Sequence, residues 1–159
     1  MVHAIRRSGP DSSLTHVDLS CNQLGDEGLE RLASALKKSV PSIRALYLSF
    51  SLLSDRGIGC LAKGLMLHPL SFGPHPLERL DLGGNAGITD RGVKDVGTAL
   101  KGGRLGNLRE LVLSNISMTD GASLCSPLCS NHCAHSCAHR FAVCYPVRRA
   151  SPYLVLFRC

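Results

Sequence analysis

The sequence has no tryptophan and only 4% aromatic residues, so any packed core must be aliphatic. Long apolar runs are missing as well. No stretch approaches the roughly 20 residues a membrane helix needs, and the patch Tyr153 to Phe157 is far too short. Met1 to Pro10 contains no apolar run of signal-peptide length, so a cytoplasmic or nuclear location is expected, cytoplasmic first, with no membrane partner. Acidic residues are absent from residues 1–10 and 123–159. The six arginines of those two segments (Arg6, Arg7, Arg140, Arg148, Arg149 and Arg158) account for the whole net charge of +6. The segment between them balances 12 basic against 12 acidic residues, which argues against a broad basic surface for nucleic acid. Cysteine is scarce in the body of the chain. Six of the eight lie at or beyond Cys125, leaving Cys21 and Cys60, which does not resemble a disulfide framework.

Catalytic motifs are missing too. There is no phosphate-binding glycine loop, dinucleotide fingerprint or nucleophile elbow. Gly83 and Gly84 belong to a repeat instead. His16 and Asp18 alternate on one strand and point the same way, but no serine or thiol is arranged around them as a catalytic pair would require. They read as two polar residues on a surface, and the chain is expected to be neither an enzyme nor a cofactor binder.

Internal self-similarity is what the sequence does contain. Four segments open with an apolar residue, a second three positions on and a third two further. These are Leu14, Val17, Leu19; Ile43, Leu46, Leu48; Leu77, Leu80, Leu82; and Leu108, Leu111, Leu113. Three positions later stand Asn22, Ser51 and Asn85, while in the fourth segment Asn115 comes one position early. A further apolar residue follows (Leu24, Leu53, Ile88, Met118), then a small polar turn ending in Gly28, Gly57, Gly92 or Gly121.

After each of the first three glycines the period becomes helical. Leu29, Leu32, Ala33 and Leu36 mark one face, as do Ile58, Leu61, Ala62 and Leu65, and Val93, Val96, Gly97 and Leu100. Asp26, Asp55 and Asp90, with Ser54 and Thr89 beside two of them, sit where a helix N-cap belongs. Each unit therefore predicts a short strand, a turn and a helix.

This pattern resembles the leucine-rich repeat family, in the long-repeat subclass of ribonuclease inhibitor, the NOD-like receptors and the Ran GTPase-activating protein. The resemblance is carried by LTHVDLSCNQLGDEGLERLASAL at 14–36 and LERLDLGGNAGITDRGVKDVGTAL at 77–100, and covers about 14 to 122. It implies an α/β solenoid, with short parallel strands on the concave face and helices on the convex one. One unit cannot bury its apolar face alone, so the units must stack. Asn22 and Asn85 would then turn inward onto neighbouring backbone groups.

The expected organisation is a polar N-terminal segment, 1–13, repeats at 14–122 and a Cys/His-rich, poorly ordered tail at 123–159. Residues 68–76, with three prolines and a glycine, read as a longer loop, either a tolerated insertion or a binding loop. The fourth unit fails after Asn115. Its helix face would fall on Ala122, Cys125, Ser126 and Cys129, with Pro127 in its interior. With neither end recognisable as a cap, the chain reads as a fragment or truncated form of a larger protein. In the tail, Cys125, Cys129, Cys133 and Cys137 recur every four residues among His132, His135 and His139. Cysteine and histidine are zinc ligands, but an unbroken four-residue ladder does not wrap one ion tetrahedrally. These are weak metal candidates, and compositional bias is the preferred explanation.

Strand alternation places His16, Asp18 and Ser20, then Ala45, Tyr47 and Ser49, then Arg79, Asp81 and Gly83, then Glu110, Val112 and Ser114 on the hollow face. Of these, His16, Asp18, Ser20, Tyr47, Ser49, Arg79, Asp81, Glu110 and Val112 are the candidate partner-binding residues. Tyr47 and Arg79 are types that anchor interfaces. Asp18, Asp81 and Glu110 suggest a protein partner with a basic patch. Two alternatives stay open. One is regulation of a small GTPase, as the resemblance permits; the other is a metal- or redox-responsive role for the tail.

Overall fold

Four three-residue strands lie side by side in chain order: β1 His16–Asp18, β2 Ala45–Tyr47, β3 Arg79–Asp81 and β4 Glu110–Val112. Helices α1 Gly25–Lys38, α2 Asp55–Met66 and α3 Asp90–Lys101 run between them. This is a computed structural model, and it describes residues 14–38, 42–67, 75–118 and 155–157. The strands pair in parallel and without slippage. Val17, Leu46, Leu80 and Leu111 form one row, flanked by the rows His16, Ala45, Arg79, Glu110 and Asp18, Tyr47, Asp81, Val112. Parallel neighbours need a crossover, and a helix supplies it in each of the first three units. The α/β repeat architecture expected from the pattern is therefore present.

The core lies between the sheet and the helices and is aliphatic, as the shortage of aromatics required. The middle row of the strands is fully buried, as are Leu29, Leu32 and Leu36 of α1 and Ile58, Leu61 and Leu65 of α2. Burying each such leucine stabilises the fold by about 2 kcal/mol, and the facing surface comes from the neighbouring unit. Five of the repeat's apolar positions are not fully buried: Leu14, at the edge of the sheet, is 37% exposed, and Leu19, Leu24, Leu100 and Met118 are only partly buried.

The helix starts also differ from expectation. Ser54 and Thr89, rather than the aspartates after them, are the N-caps, accepting from the backbone N–H of Arg56 and Arg91. The aspartates sit in the first turn, where a negative charge suits the helix dipole. Asp26 and Asp55 also reach across to the next unit. Asp26 accepts from the Ser54 N–H at 2.9 Å and from its hydroxyl. Asp55 accepts from the Thr89 N–H at 2.7 Å, the Thr89 hydroxyl at 2.6 Å and the Gly92 N–H at 2.9 Å. The recurring glycine follows from this approach, because a Cβ at Gly92 would stand 2.6 Å from Asp55 Oδ1 and one at Gly57 2.5 Å from Asp26 Oδ1.

Asn85 fulfils its expected role. It is buried, donates to the carbonyls of Leu48, Leu82 and Gly83, and accepts from the N–H groups of Ser51 and Leu53. Ser51 replaces it in the second unit, its hydroxyl donating to the Leu19 and Ser49 carbonyls. Asn22 does not turn inward against a neighbour. It is exposed and bonds only its own unit, at Leu19 O and Ser20 O.

A fifth strand, β5 Val155–Phe157, pairs antiparallel with β4, Val155 opposite Val112 and Phe157 opposite Glu110. No element was expected there. The N-terminal segment 1–13, most of the proline-rich loop and the fourth unit's expected helix face lie outside the described residues. At that loop's near end, buried His75 donates its N–H to the Arg104 carbonyl at 2.7 Å.

Candidate functional site

The face of the sheet turned away from the helices carries the candidate residues. His16, Asp18 and Arg79 are exposed, and Ser20, Tyr47, Ser49, Asp81, Glu110 and Val112 are half-buried. Ala45 and Gly83, on the same face, are covered by their neighbours.

Strand register brings three of these side chains together across three units. Arg79, between Ala45 and Glu110 in its row, donates from Nε to Glu110 Oε2 at 2.6 Å and pairs with the same oxygen through Nη2. On its other side it donates from Nη1 to the Tyr47 hydroxyl at 3.3 Å, its guanidinium lying 5.9 Å from the centre of the Tyr47 ring. The Tyr47 hydroxyl and then the Glu110 carboxylate raise the basicity of Arg79 further, fixing it as a cation.

The charge of Glu110 is thereby answered, so the acidic character of the face falls to the two aspartates. Each is oriented by the chain just beyond it. Asp18 Oδ1 accepts from the Ser20 N–H and Asp81 Oδ1 from the Gly83 N–H, both at 2.9 Å. The Ser20 backbone N–H holds the Asp18 carboxyl below the usual carboxylate range, so it is ionised at neutral pH. His16 exchanges its hydrogen bond with the Thr15 hydroxyl, at 2.9 Å from Nδ1, and not with Asp18. The two polar residues are not coupled as an acid–base pair.

One feature of the rim could not be read from residue types. The second residue after each apolar triplet is left-handed: Cys21, Phe50, Gly84 and Asn115, with φ of 56, 52, 68 and 53°. Asn115 is therefore the counterpart of Gly84, not a displaced counterpart of Asn85. Partly buried Ile116 takes the latter place and packs on the core. The inter-strand ladder imposes this conformation, with Cys21 N–H donating to Ser49 O, Phe50 N–H to Gly83 O and Gly84 N–H to Ser114 O. Glycine and asparagine tolerate it, whereas a phenylalanine there costs about 1 kcal/mol. Phe50 is nevertheless 57% exposed, and Leu52, two residues on and also left-handed at φ 56°, is 71% exposed. The signal that would have revealed the position is the shared offset of Gly84 and Asn115 from the ends of their triplets.

Among the described residues no cluster of three or more His, Cys, Asp or Glu side chains could hold a metal ion, and no helix is long and apolar enough to cross a membrane. The weak metal candidates Cys125, Cys129, Cys133 and Cys137 lie outside the described residues. The two described cysteines, Cys21 and Cys60, are free thiols.

Comparison with known proteins agrees with the repeat. The family model described as Leucine Rich repeat matches residues 11–33 and 73–97. Leucine-rich repeat-containing protein 42 of Xenopus tropicalis is 44% identical over 82 residues, half of this chain and 18% of its own length. Its Xenopus laevis counterpart is 42% identical over 80 residues, again 18% of its length. NACHT, LRR and PYD domains-containing protein 13 of Homo sapiens is 37% identical over 107 residues, 67% of this chain and 9% of that protein. The chain thus spans less than a fifth of the length of these relatives. Matches at two separate units, over strands stacked in register and tied in part by the Asn85 side chain, show that the chain is built of leucine-rich repeats.

Proposed function

We propose that the chain is a non-catalytic protein-interaction module of the ribonuclease-inhibitor-like subclass, working as the repeat-bearing part of a larger protein. It takes a protein partner on the open, concave face of its sheet. The observation that carries this reading is the Tyr47–Arg79–Glu110 cluster, which spans three units and exposes Arg79 between half-buried Tyr47 and Glu110. An aromatic ring and a guanidinium held against each other form a semi-rigid anchor that loses little side-chain freedom on binding. The ion pair itself adds little to the fold, since the Arg79 side chain is 45% exposed. The greater length of the relatives supports a larger parent protein.

The charge left after pairing belongs to Asp18 and Asp81, which favours a partner presenting a basic patch. Affinity purification with the full chain tests the proposal. Tyr47→Ala combined with Asp81→Ala should reduce recovery of specific partners at least tenfold, while Thr98→Ala on the helix side should not. Equal recovery by all three proteins would remove the open face from consideration.

A further inference from the structure

We propose that Phe50 and Leu52 form an apolar anchor on the rim of the sheet that docks a protein segment carrying an apolar side chain beside lysine or arginine. This deepens the reading of the open face as a protein-binding surface and rests on it.

The two residues stand out against their own repeats. Cys21, Gly84 and Asn115 occupy the place of Phe50, and Gln23, Ala86 and Ser117 that of Leu52. Only the second unit puts two large apolar side chains there. Both are held at positive φ, where their shapes are disfavoured, and both face water. Neither position is required by the core. The Phe50 ring leans over Gly84 of the next unit, where a Cβ would stand within 3 Å of its ring carbons, yet more than half of the residue remains exposed. Leu52 is covered still less.

Their position adjoins the candidate face. The Phe50 N–H bonds the Gly83 carbonyl, so the ring begins where the row Ser49, Gly83, Ser114 ends. The next row inward holds Asp18 and Asp81. With Glu110 neutralised by Arg79, these carboxylates set the local charge. Apolar groups beside carboxylates fit a segment that pairs an apolar side chain with cations. The same carboxylates repel anionic lipid headgroups, which disfavours insertion of the loop into a membrane.

The test uses the full chain and a displayed library of random peptides. Peptides selected on it are synthesised, and their affinities are compared among the wild type, Phe50→Gly, Leu52→Asn, and Tyr47→Ala with Asp81→Ala. The selected peptides should combine an apolar residue with Lys or Arg. Phe50→Gly and Leu52→Asn should each weaken them at least about tenfold, with the melting temperature unchanged or raised. Both replacements suit positive φ, so loss of binding cannot be ascribed to misfolding. Affinities insensitive to Phe50 and Leu52 overturn the anchor. Within that result, sensitivity to the Tyr47 and Asp81 pair leaves the open-face proposal standing, and insensitivity there ends it too. Acid-rich peptides, or co-sedimentation with phosphatidylserine vesicles that Phe50→Gly abolishes, would also overturn the inference.

Discussion

Asp55 of the second unit holds Thr89 of the third by both of that residue's hydrogen-bonding ends, the backbone N–H at 2.7 Å and the hydroxyl at 2.6 Å. Asp26 holds Ser54 in the same manner. The cap of one helix is thus clamped by the helix before it, so capping and stacking become one interaction. A unit's helix start is fully satisfied only when its predecessor is in place.

Replacing Asp55 with alanine should therefore cost about 2–3 kcal/mol, more than an ordinary first-turn acid, because three donors lose a charged acceptor. Urea unfolding measures this. Burial pushes the Asp55 carboxyl up, but the Thr89 hydroxyl, the N–H groups of Thr89 and Gly92 and nearby Arg91 outweigh it and hold the group below its ordinary value. A depressed carboxylate contributes fully above its unfolded pKa, near 4, and loses that contribution as pH falls through the folded value. Stability should decline on acidification below about pH 4, and less steeply in Asp55→Asn.

Gly92→Ala should destabilise by about 2 kcal/mol, because the new methyl would meet Asp55 Oδ1 and crowd Ile88. The cost should shrink by more than half in a chain that already carries Asp55→Ala. A double-mutant cycle tests this, and additive costs would show that the glycine serves some other purpose.

The asparagines at the same repeat position, Asn22 and Asn85, should behave differently. Asn85→Ala strands buried N–H groups of Ser51 and Leu53 and should cost about 3 kcal/mol. Asn22→Ala removes only bonds within an exposed turn and should cost less than about 1 kcal/mol. Thermal melting of the two variants separates them.

The local features of the fold were legible in the sequence because they depend on period. Alternating leucines place the buried row of each strand, and spacings of three and four place the helix faces, so the α/β repeat follows without knowledge of contacts. What escaped lies between units. The Asp–Ser/Thr clamp joins residues some 30 positions apart and shows in sequence only as a polar turn. Residue type pairs Asn115 with Asn85, whereas backbone conformation pairs it with Gly84. Alternation identified the residues of the open face, but the contacts of Arg79 with Tyr47 and Glu110 required the strand register. Val155–Phe157 gave no warning either, since the short apolar run Tyr153–Phe157 lies beyond the last repeat and carries no repeat period.

Arg79→Ala should change stability by less than about 1 kcal/mol, since the Arg79 end of its ion pair with Glu110 is 45% exposed. Partner affinity should fall much further, because Tyr47 loses the guanidinium that holds its ring in place. A stability loss equal to the affinity loss, by denaturation and binding measured on the same preparation, would make the cluster structural.

The central claim is that partners meet the open face of the sheet, and site-directed photo-crosslinking tests it most directly. A photoreactive residue at Ser49, on that face, is compared with one at Thr98, exposed on α3. The account predicts discrete adducts from position 49 that competing unlabelled chain suppresses, and none from position 98. Adducts arising from position 98 alone would place the binding surface on the helices and contradict it.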